Sequence, residues 1–490
     1  RAGRLFMLGL TISIFAALTL TPRPVGAVLS AVNISNNAGA SRDPSLGLDG
    51  TTLIAVWLDW TPGDPQVFIA RAADTGATWG TPVNLSSTGG ASSEYDWTFA
   101  GRYLYAIWTD TSPGNADIYF RRSVDGGATF KALVNLSMTP GTSSLSRVAL
   151  SGGSYVYVAW QERGIYRGDS NEIYFKRSTD AGQSFGSAVN LSNSPGSSEA
   201  PAIFALGPHV WVLWTEDVGL HHQVYLRYSS NGGATFAAPV NVSSSAGDAA
   251  QPAMAVAGPN VSVVYSDDDP CGWRQAKLRI SSDGGASFGA ETNVSSCFAH
   301  AAFPRVIVAG KFVYVTWIQS GNSGVQDVFY RRSINSGATW DSVKNLSNNA
   351  GFSFGQQLAW TLAGTELYVA WPDQTSSGST WDIFSLRSGN AGGGFGSVLN
   401  LSANAGDSFA PQVLAVGRDV FAVWYDHTPG NQEILFLRST TGGFALARGT
   451  GDTGTGWAAG TSNPSVPRWC SGTTRLPARL PSGCLPADSK

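Results

Sequence analysis

Between residues 95 and 136 the chain shows four short apolar runs, at 95–100, 103–108, 117–122 and 133–136. Glycine, proline, asparagine and aspartate separate these runs, and such residues favour tight turns. Runs this short, rich in aromatic and β-branched side chains, predict strands rather than helices. The segment is therefore predicted to form four antiparallel strands, which we name A, B, C and D in chain order.

The same four-run unit recurs along the chain. An Asn-apolar-Ser triplet marks each copy at strand D, at intervals of 51 to 55 residues. The triplets begin at Asn33, Asn84, Asn135, Asn190, Asn241, Asn293, Asn345 and Asn400. One four-stranded sheet cannot bury both of its faces alone, so the units must pack on one another. We predict an all-β fold, an eight-bladed β-propeller over residues 28–448, with seven blades and a damaged repeat as the alternative.

The two ends of the repeat region predict how the ring closes. The chain has a lone D-type strand at 31–35, before the first strand A. The eighth unit has clear strands A, B and C, whereas its own strand D, around 444–448, is poor. We therefore expect residues 30–35 to complete the last blade, because closure of the ring protects the sheet edges.

Composition agrees with many short strands and narrows the class of protein. The chain has 490 residues, of which 58 are glycine, 11% are aromatic and only 13% are charged, with a net charge of −3. No basic block is present, so nucleic acid is not an expected partner. A positive start at Arg1 and Arg4, an apolar run over 5–20 and small residues at 25–27 predict a secretory signal over residues 1–27. An uncleaved membrane anchor is the alternative, and no later stretch is apolar enough to span a membrane.

The cysteines and the C-terminal segment fit an extracellular or cell-surface protein. Four cysteines form two local pairs, Cys271 with Cys297 and Cys470 with Cys484, and disulfides persist in oxidising compartments. In an antiparallel blade strands B and D end on the same side, which makes a Cys271–Cys297 bridge feasible. Residues 449–490 are rich in glycine, threonine and proline and are predicted to be a loose tail, pinned by the second pair.

A second motif recurs between strands C and D. In unit two it reads Ser-Val-Asp-Gly-Gly-Ala-Thr-Phe from Ser123 to Phe130. Its acid or amide position is filled in seven units by Asp74, Asp125, Asp180, Asn231, Asp283, Asn335 and Asn390. A carboxylate or amide in a tight turn accepts backbone N–H bonds that the ladder leaves free, and glycine supplies the positive φ. The motif is therefore predicted to be structural.

This motif resembles the Asp-box (BNR) repeat of the sialidases and related propellers, and the resemblance covers residues 31–448. It implies a propeller whose Asp-boxes lie on the face away from the active site. The B–C and D–A loops would then form the functional face. The resemblance also implies three arginines that hold a sugar carboxylate, a tyrosine nucleophile with a neighbouring glutamate, and an aspartate acid/base.

Charged residues that do not repeat lie where strand A begins, near the predicted axis. Arg42, Arg147 and Arg305 are candidate carboxylate-binding residues. The candidate catalytic residues in the same zone are Tyr95 as nucleophile, with the carboxylates of Glu94, Asp96 and Glu199. Arginines at strand starts also commonly cap or pair, and that structural role is the alternative. A further acidic cluster, Asp267, Asp268 and Asp269, is a candidate Ca²⁺ site, and Ca²⁺ is the one cofactor that the sequence suggests.

Three hypotheses for function follow. The Phe/Tyr-Arg-Ile-Pro motif of sialidases is absent, and its nearest counterpart is Phe303-Pro304-Arg305-Val306. An intact scaffold with an incomplete catalytic set favours a secreted, monomeric recognition module that binds a glycan or an extracellular protein. The alternatives are a sialidase-type exo-glycosidase acting on acidic sugars and a surface scaffold without a small ligand.

Overall fold

The computed structural model describes residues 30–164, 170–320, 325–349, 351–374, 380–428 and 430–444. These residues form eight four-stranded antiparallel sheets, so the predicted eight-bladed propeller is confirmed and the seven-bladed alternative is excluded. The predicted signal at 1–27, the tail at 449–490 and the Cys470–Cys484 pair lie outside the described residues. Within the described ranges, no helix has the length and hydropathy needed to cross a membrane.

Each blade runs from a strand A beside the axis to a two-residue strand D at the outside. Chain order begins with β1 (Val32–Asn33). Blades 1 to 4 comprise β2 (Ser41–Asp49), β3 (Thr52–Asp59), β4 (Gln66–Ala72), β5 (Val83–Asn84), β6 (Ser92–Ala100), β7 (Tyr103–Asp110), β8 (Asp117–Ser123), β9 (Val134–Asn135), β10 (Thr142–Ser151), β11 (Tyr155–Arg163), β12 (Asn171–Ser178), β13 (Val189–Asn190), β14 (Ser198–Leu206), β15 (His209–Val218), β16 (His221–Ser229) and β17 (Val240–Asn241).

Blades 5 to 8 continue the same order. They comprise β18 (Ala250–Ala257), β19 (Asn260–Asp268), β20 (Arg274–Ser281), β21 (Thr292–Asn293), β22 (Ala301–Ala309), β23 (Phe312–Ser320), β24 (Gln326–Ser333), β25 (Lys344–Asn345), a 3₁₀ turn (Gly355–Gln357), β26 (Ala359–Ala363), β27 (Glu366–Gln374), β28 (Trp381–Ser388), β29 (Leu399–Asn400), β30 (Ser408–Val416), β31 (Asp419–Asp426) and β32 (Glu433–Ser439).

The N-terminal strand closes the ring, as predicted. β1 pairs antiparallel with β32, with Val32 opposite Phe436 and Asn33 opposite Leu435. The N–H of Ile34 donates to the carbonyl of Ile434 at 2.8 Å, and the Ile34 side chain is buried between blades 8 and 1. The outermost strand of the last blade therefore comes from the opposite end of the propeller sequence.

The Asn-apolar-Ser triplet is a lock between strands C and D. In blade 2, Asn135 Oδ1 accepts the N–H of Met138 at 3.0 Å, and its Nδ2 donates to Asp117 at 2.6 Å. The Ser137 hydroxyl donates to Asp117 at 2.9 Å and accepts the N–H of Ile118 at 2.9 Å. The triplet repeats because each blade needs this turn to place its short outer strand. The asparagine side chains of the triplet are therefore hydrogen-bonded within the blade.

Strand B carries the core between blades. Its residues are buried on both sides of the sheet, as in β3, where seven of the eight residues are buried. Burial on both faces explains why the strand is almost continuously apolar instead of alternating. The cluster between blades 1 and 2 combines Trp108 and Leu104 of β7 with Val56 of β3, and equivalent clusters recur around the ring.

A tryptophan-carboxylate contact fastens the end of strand B to strand A. In blade 1, Trp57 Nε1–H donates to Asp59 at 2.9 Å, and the same carboxylate accepts from the Ser41 hydroxyl at 2.9 Å. Tryptophan bonds of 2.8–3.1 Å to the equivalent carboxylate, or to an amide in blade 6, recur in six further blades. Blade 5 departs from the pattern, because Tyr265 replaces the tryptophan and Ala249 the serine.

Candidate functional site

Strand B ends, and strands A and C begin, at one end of every blade, which we call the D–A face. Near the start of strand A, seven blades have a β-bulge at a non-glycine residue with a φ of 49–55°. These residues are Asp43, Glu94, Leu145, Ala200, Gln251, Phe303 and Ala410. In blade 7 the 3₁₀ turn takes that place. Bulges re-aim side chains and occur beside functional sites, and here they set the inner rim of the D–A face.

The hairpins between strands C and D, where the sequence predicts the Asp-box motif, lie at the opposite end of the blades. Asp125 Oδ1 accepts the N–H of Thr129 at 2.9 Å, and Oδ2 accepts the Thr129 hydroxyl at 2.5 Å. Ser123 Oγ accepts the N–H of Gly127 at 2.8 Å. These bonds, the Thr129 hydroxyl first, hold the pKa of Asp125 well below its usual range. The equivalent bonds to the residue four positions on are made by Asp74, Asp180, Asn231, Asp283, Asn335 and Asn390.

The candidate catalytic residues of blade 2 make contacts between blades. The Tyr95 side chain is buried, and its hydroxyl donates to the carbonyls of Val56, at 2.8 Å, and Asp43 in blade 1. Glu94 accepts the N–H of Leu145 at 2.8 Å, and Asp96 accepts that of Val148 at 2.9 Å, both in blade 3. The Glu94 and Asp96 side chains therefore bind strand A of blade 3, and the Tyr95 hydroxyl binds strands A and B of blade 1.

The candidate arginines lie on three different blades. Arg42 Nε donates to Gln432 of blade 8, and its guanidinium lies 5.3 Å from the centre of the Trp60 ring. Arg147 Nη1 donates to the Ser146 carbonyl at 2.8 Å in its own blade. Arg305 is buried in blade 6. Glu199 accepts from Asn171 Nδ2 at 2.9 Å across the junction of blades 3 and 4.

The Arg42–Gln432 and Glu199–Asn171 contacts occupy the same structural position. In both, the residue before the strand A bulge meets the residue just before the strand C acid of the preceding blade. Phe409 and Trp381 form the equivalent pair between blades 8 and 7, with ring centres 5.5 Å apart. Because the side chains at this position differ from blade to blade, the repeat itself does not require them.

Around blades 7, 8 and 1 these positions join into a continuous series of rings, which we call the aromatic rim (Phe352, Phe354, Trp381, Phe409, Tyr425, His427, Gln432, Arg42 and Trp60). Phe352 and Phe354 stand edge-on to Trp381 at 5.9 and 6.0 Å. Phe409 contacts Tyr425 at 5.6 Å, and Tyr425 contacts His427 at 6.1 Å. All of these side chains are half-buried, so each keeps part of its surface exposed on the D–A face.

Polar groups complete the aromatic rim at the junction of blades 8 and 1. His427 Nε2 lies 2.7 Å from Gln432 Nε2, and its Nδ1 lies 2.9 Å from the Asp407 carbonyl oxygen. Burial raises the pKa of Tyr425, and the Asp43 carboxylate adds to the rise. The Tyr425 phenol therefore stays protonated at neutral pH and is available to donate a hydrogen bond to a ligand. The rim offers aromatic surface, a guanidinium and neutral donors within one stretch.

Sequence reasoning singled out Arg42 but missed the rest of the aromatic rim. The signal in the sequence was a disagreement between repeats. The position before the strand C acid or amide is occupied in the eight units by Pro65, Ala116, Asn171, His222, Arg274, Gln326, Trp381 and Gln432. When the side chain at one position varies between otherwise regular units, packing between the units does not determine it. Such a position is available for binding.

The three aspartates at 267–269 face separate partners. Asp268 lies 3.4 Å from Arg274 Nε, and Asp269 lies 2.5 Å from Lys277 Nζ. Burial raises the pKa of Asp267 to about 6. Calcium requires several oxygen ligands directed at one point. Two of these carboxylates are instead matched by side-chain cations, so the set does not fit a Ca²⁺ ion.

The predicted Cys271–Cys297 disulfide is present and joins two loops of the D–A face. Its Cα atoms are 6.2 Å apart, within the range that disulfide geometry allows. The bridge ties the B–C loop of blade 5 to the loop that leads into blade 6.

No protein-family model matches the sequence, and no curated protein matches it. Solved structures similar to it include the phage phi92 endosialidase, 11% identical, covering 92% of this chain and 76% of that one, with a TM-score of 0.41. The NanB sialidase from Streptococcus pneumoniae is 9% identical, with coverage of 86% and 71% and a TM-score of 0.34. An α-L-arabinofuranosidase from Fusarium graminearum is 16% identical, with coverage of 66% and 99% and a TM-score of 0.37. At these identities the likeness concerns the fold alone.

Proposed function

We propose that the chain is an extracellular glycan-recognition propeller of the Asp-box type, and that it binds its glycan at the aromatic rim. The observation that carries the proposal is the unbroken series of half-buried rings from Phe352 to His427 across blades 7 and 8, which Gln432 and Arg42 continue to Trp60 of blade 1. Ligand sites combine aromatic surface with a few placed polar groups. The rim has that composition, with Arg42, Gln432 and His427 at one end.

Each component of the rim has a role in holding a sugar. The faces of Trp381 and Tyr425 suit the apolar C–H side of a pyranose ring, since aromatic rings bury area while their neighbours keep a polar edge wet. The Arg42 guanidinium suits a carboxylate, because it donates two parallel charge-assisted bonds. Trp60 and Gln432 both contact Arg42. These contacts restrict the Arg42 side chain in advance, so less of its conformational entropy is lost on binding. An acidic glycan is therefore the favoured ligand.

Recognition is favoured over hydrolysis by the contacts of the blade 2 residues. A nucleophile must reach the substrate, and a general acid or base must lie within hydrogen-bond reach of the proton it moves. The Tyr95 hydroxyl is instead bonded to two backbone carbonyls, and the Glu94 and Asp96 carboxylates accept N–H groups of blade 3. These contacts support a binding role and leave exo-glycosidase activity as the second candidate.

A glycan array followed by calorimetric titration of the best acidic glycan tests the proposal. Trp381→Ala is expected to weaken binding at least tenfold, because truncation of an aromatic anchor in a binding site costs about 2 kcal/mol or more. Arg42→Gln should weaken binding of carboxylated glycans and spare neutral ones. Tyr155→Ala is the matched control, since this ring is exposed at the start of β11, on the Asp-box face. Equal binding by Trp381→Ala and wild type would contradict the proposal.

Turnover of a fluorogenic sialoside separates the second candidate from the first. We expect none from the wild-type protein. Turnover that is lost in Arg147→Ala would instead establish a sialidase-type site.

A further inference from the structure

Blade 5 presents large apolar side chains to solvent on the D–A face. Trp273 lies in its B–C loop and is 42% exposed, and Phe298 lies in the loop to blade 6 and is 83% exposed. On the neighbouring B–C turn of blade 4, Leu220 is 95% exposed. Exposed groups of this kind mark interaction sites when they cluster and are rimmed by polar residues. We call Trp273, Phe298, His300 and the Cys271–Cys297 bridge the blade-5 corner.

The blade-5 corner is held rigidly despite its exposure. The disulfide joins the two loops, and Asp269 accepts the N–H of Cys271 at 3.1 Å. The N–H of Arg274 donates to His300 Nδ1 at 3.0 Å, and the Trp273 ring stands edge-on to His300 at 4.9 Å. A surface fixed in advance loses less side-chain entropy when it binds.

Blade 5 also differs from the other blades in its core, where a charged side chain replaces an apolar one beneath these loops. At the position of Lys277 the other blades carry an aromatic ring or a leucine (Phe68, Tyr119, Tyr174, Tyr225, Phe329, Phe384 and Leu435). In blade 5 the buried Lys277 ammonium lies 2.5 Å from Asp269 and 2.9 Å from Glu291. The Tyr265 hydroxyl donates to Glu291 at 2.8 Å. This buried network anchors the B–C loop at its base.

Carboxylates outnumber cations beside the corner, on the side of blade 4. The chain of contacts from blade 4 runs from Asp217 to His222 at 2.9 Å, to Asp248 at 2.6 Å, and on to Arg274 at 2.6 Å. Asp268 also contacts Arg274, and it is 55% exposed at the side chain, as Asp217 is 45% exposed. Three carboxylates on this surface are thus balanced by one guanidinium and a histidine. The surface favours a positively charged partner.

We propose that the blade-5 corner is a docking site for a protein partner whose surface carries lysine or arginine around an apolar anchor. The exposed rings and the excess of carboxylates both match such a partner. A glycan is disfavoured here, because Phe298 and Leu220 offer apolar surface without hydrogen-bonding groups, unlike the half-buried aromatic rim. The site is distinct from the rim of blades 7, 8 and 1.

Selection of a displayed random-peptide library on the full chain tests the proposal. Enriched peptides are expected to combine lysine or arginine with a tryptophan, phenylalanine or leucine. Their affinity should fall at least tenfold in the Trp273→Ser/Phe298→Ser double variant and should weaken as salt is raised. The matched control is Met138→Ser, which removes a side chain 76% exposed in the loop between blades 2 and 3. Because these side chains are exposed, all variants should melt at the wild-type temperature.

Several outcomes would overturn the proposal. The first is a selection that enriches no peptides combining basic and apolar residues. The second is that the double variant binds the peptides as tightly as wild type, and the third is that Met138→Ser weakens binding as much as the double variant does. Loss of an array glycan in the double variant would assign the corner to a glycan instead. Binding at the aromatic rim is expected to survive the double variant, so failure of this site and failure of the proposed glycan site are read separately.

Discussion

Replacing the buried Asp267 by asparagine is expected to stabilise the protein at neutral pH. In blade 1 the equivalent carboxylate, Asp59, accepts from Trp57, Ser41 and the N–H of Thr61 at 2.8–2.9 Å. Blade 5 lacks two of these donors, because Ala249 replaces the serine and the Tyr265 hydroxyl bonds to Glu291 instead. The buried charge of Asp267 is therefore poorly compensated.

The size and pH window of the effect follow from the pKa of Asp267. Burial raises that pKa from 3.8 to about 6, and Glu291 adds to the rise. Each pKa unit corresponds to about 1.4 kcal/mol, so ionisation destabilises the folded state by up to about 3 kcal/mol. The folded state holds the proton more tightly than the unfolded one. The stability is therefore fully present below pH 3.8 and is lost as pH rises through about 6.

Denaturant unfolding at pH 4 and pH 7.5 measures the effect. Asp267→Asn should match wild type at the lower pH and exceed its free energy of unfolding by about 2–3 kcal/mol at the higher. Asp59→Asn is the matched control. It should destabilise at pH 7.5 by about 1–3 kcal/mol, because the carboxylate's charge-assisted bonds are lost. An Asp267→Asn variant that is destabilised at pH 7.5, or stabilised equally at both pH values, would refute the reasoning.

Two further predictions concern ring closure and the histidine of blade 4. Ile34→Ala should cost about 2–5 kcal/mol and expose residues 30–35 and 433–439 together to hydrogen exchange. Leu191→Ala, at the same strand D position of blade 3, should cost as much and leave those segments protected. The hydrogen bond to Asp248 raises the pKa of His222, and Asp217 and Glu199 add to the rise. The resulting stability is present below pH 6.5 and lost as pH rises through the folded pKa, so His222→Gln should flatten the unfolding profile above pH 6.5.

The fold was predictable because its determinants are local and repeated. The Asn-apolar-Ser triplet forms one turn with its own hydrogen bonds, as Asn135 and Ser137 show. Each copy in the sequence therefore predicts one blade. The candidate site was harder, because it is made of residues that do not repeat. Arg42 meets Gln432 from 390 positions away, across the closed ring. The sequence predicts that blade 8 adjoins blade 1, but nothing in it indicates that these two side chains meet.

The Tyr95 side chain shows a second limit of prediction from sequence. Its place at the start of strand A was predicted, but not the direction of its side chain. In the structure the residue after the bulge points back to the preceding blade, where its hydroxyl meets the Val56 carbonyl. The bulge residue Glu94 points forward to blade 3. The bulge thus decides which residues at the rim are exposed, and bulges leave no pattern of apolar residues to read.

Closure by β1 has a consequence for how the protein is made. Val32 pairs with Phe436, so the first strand waits for a partner synthesised about 400 residues later. At about 5–20 residues per second this interval lasts roughly 20–80 s. Blades 1 to 7 complete themselves from contiguous sequence as the chain emerges, whereas blade 8 assembles only once nearly the whole ring has been translated. The closing step of the ring is therefore the pairing of two strands that lie about 400 residues apart in the chain, and the Arg42–Gln432 contact forms only when that pairing has occurred.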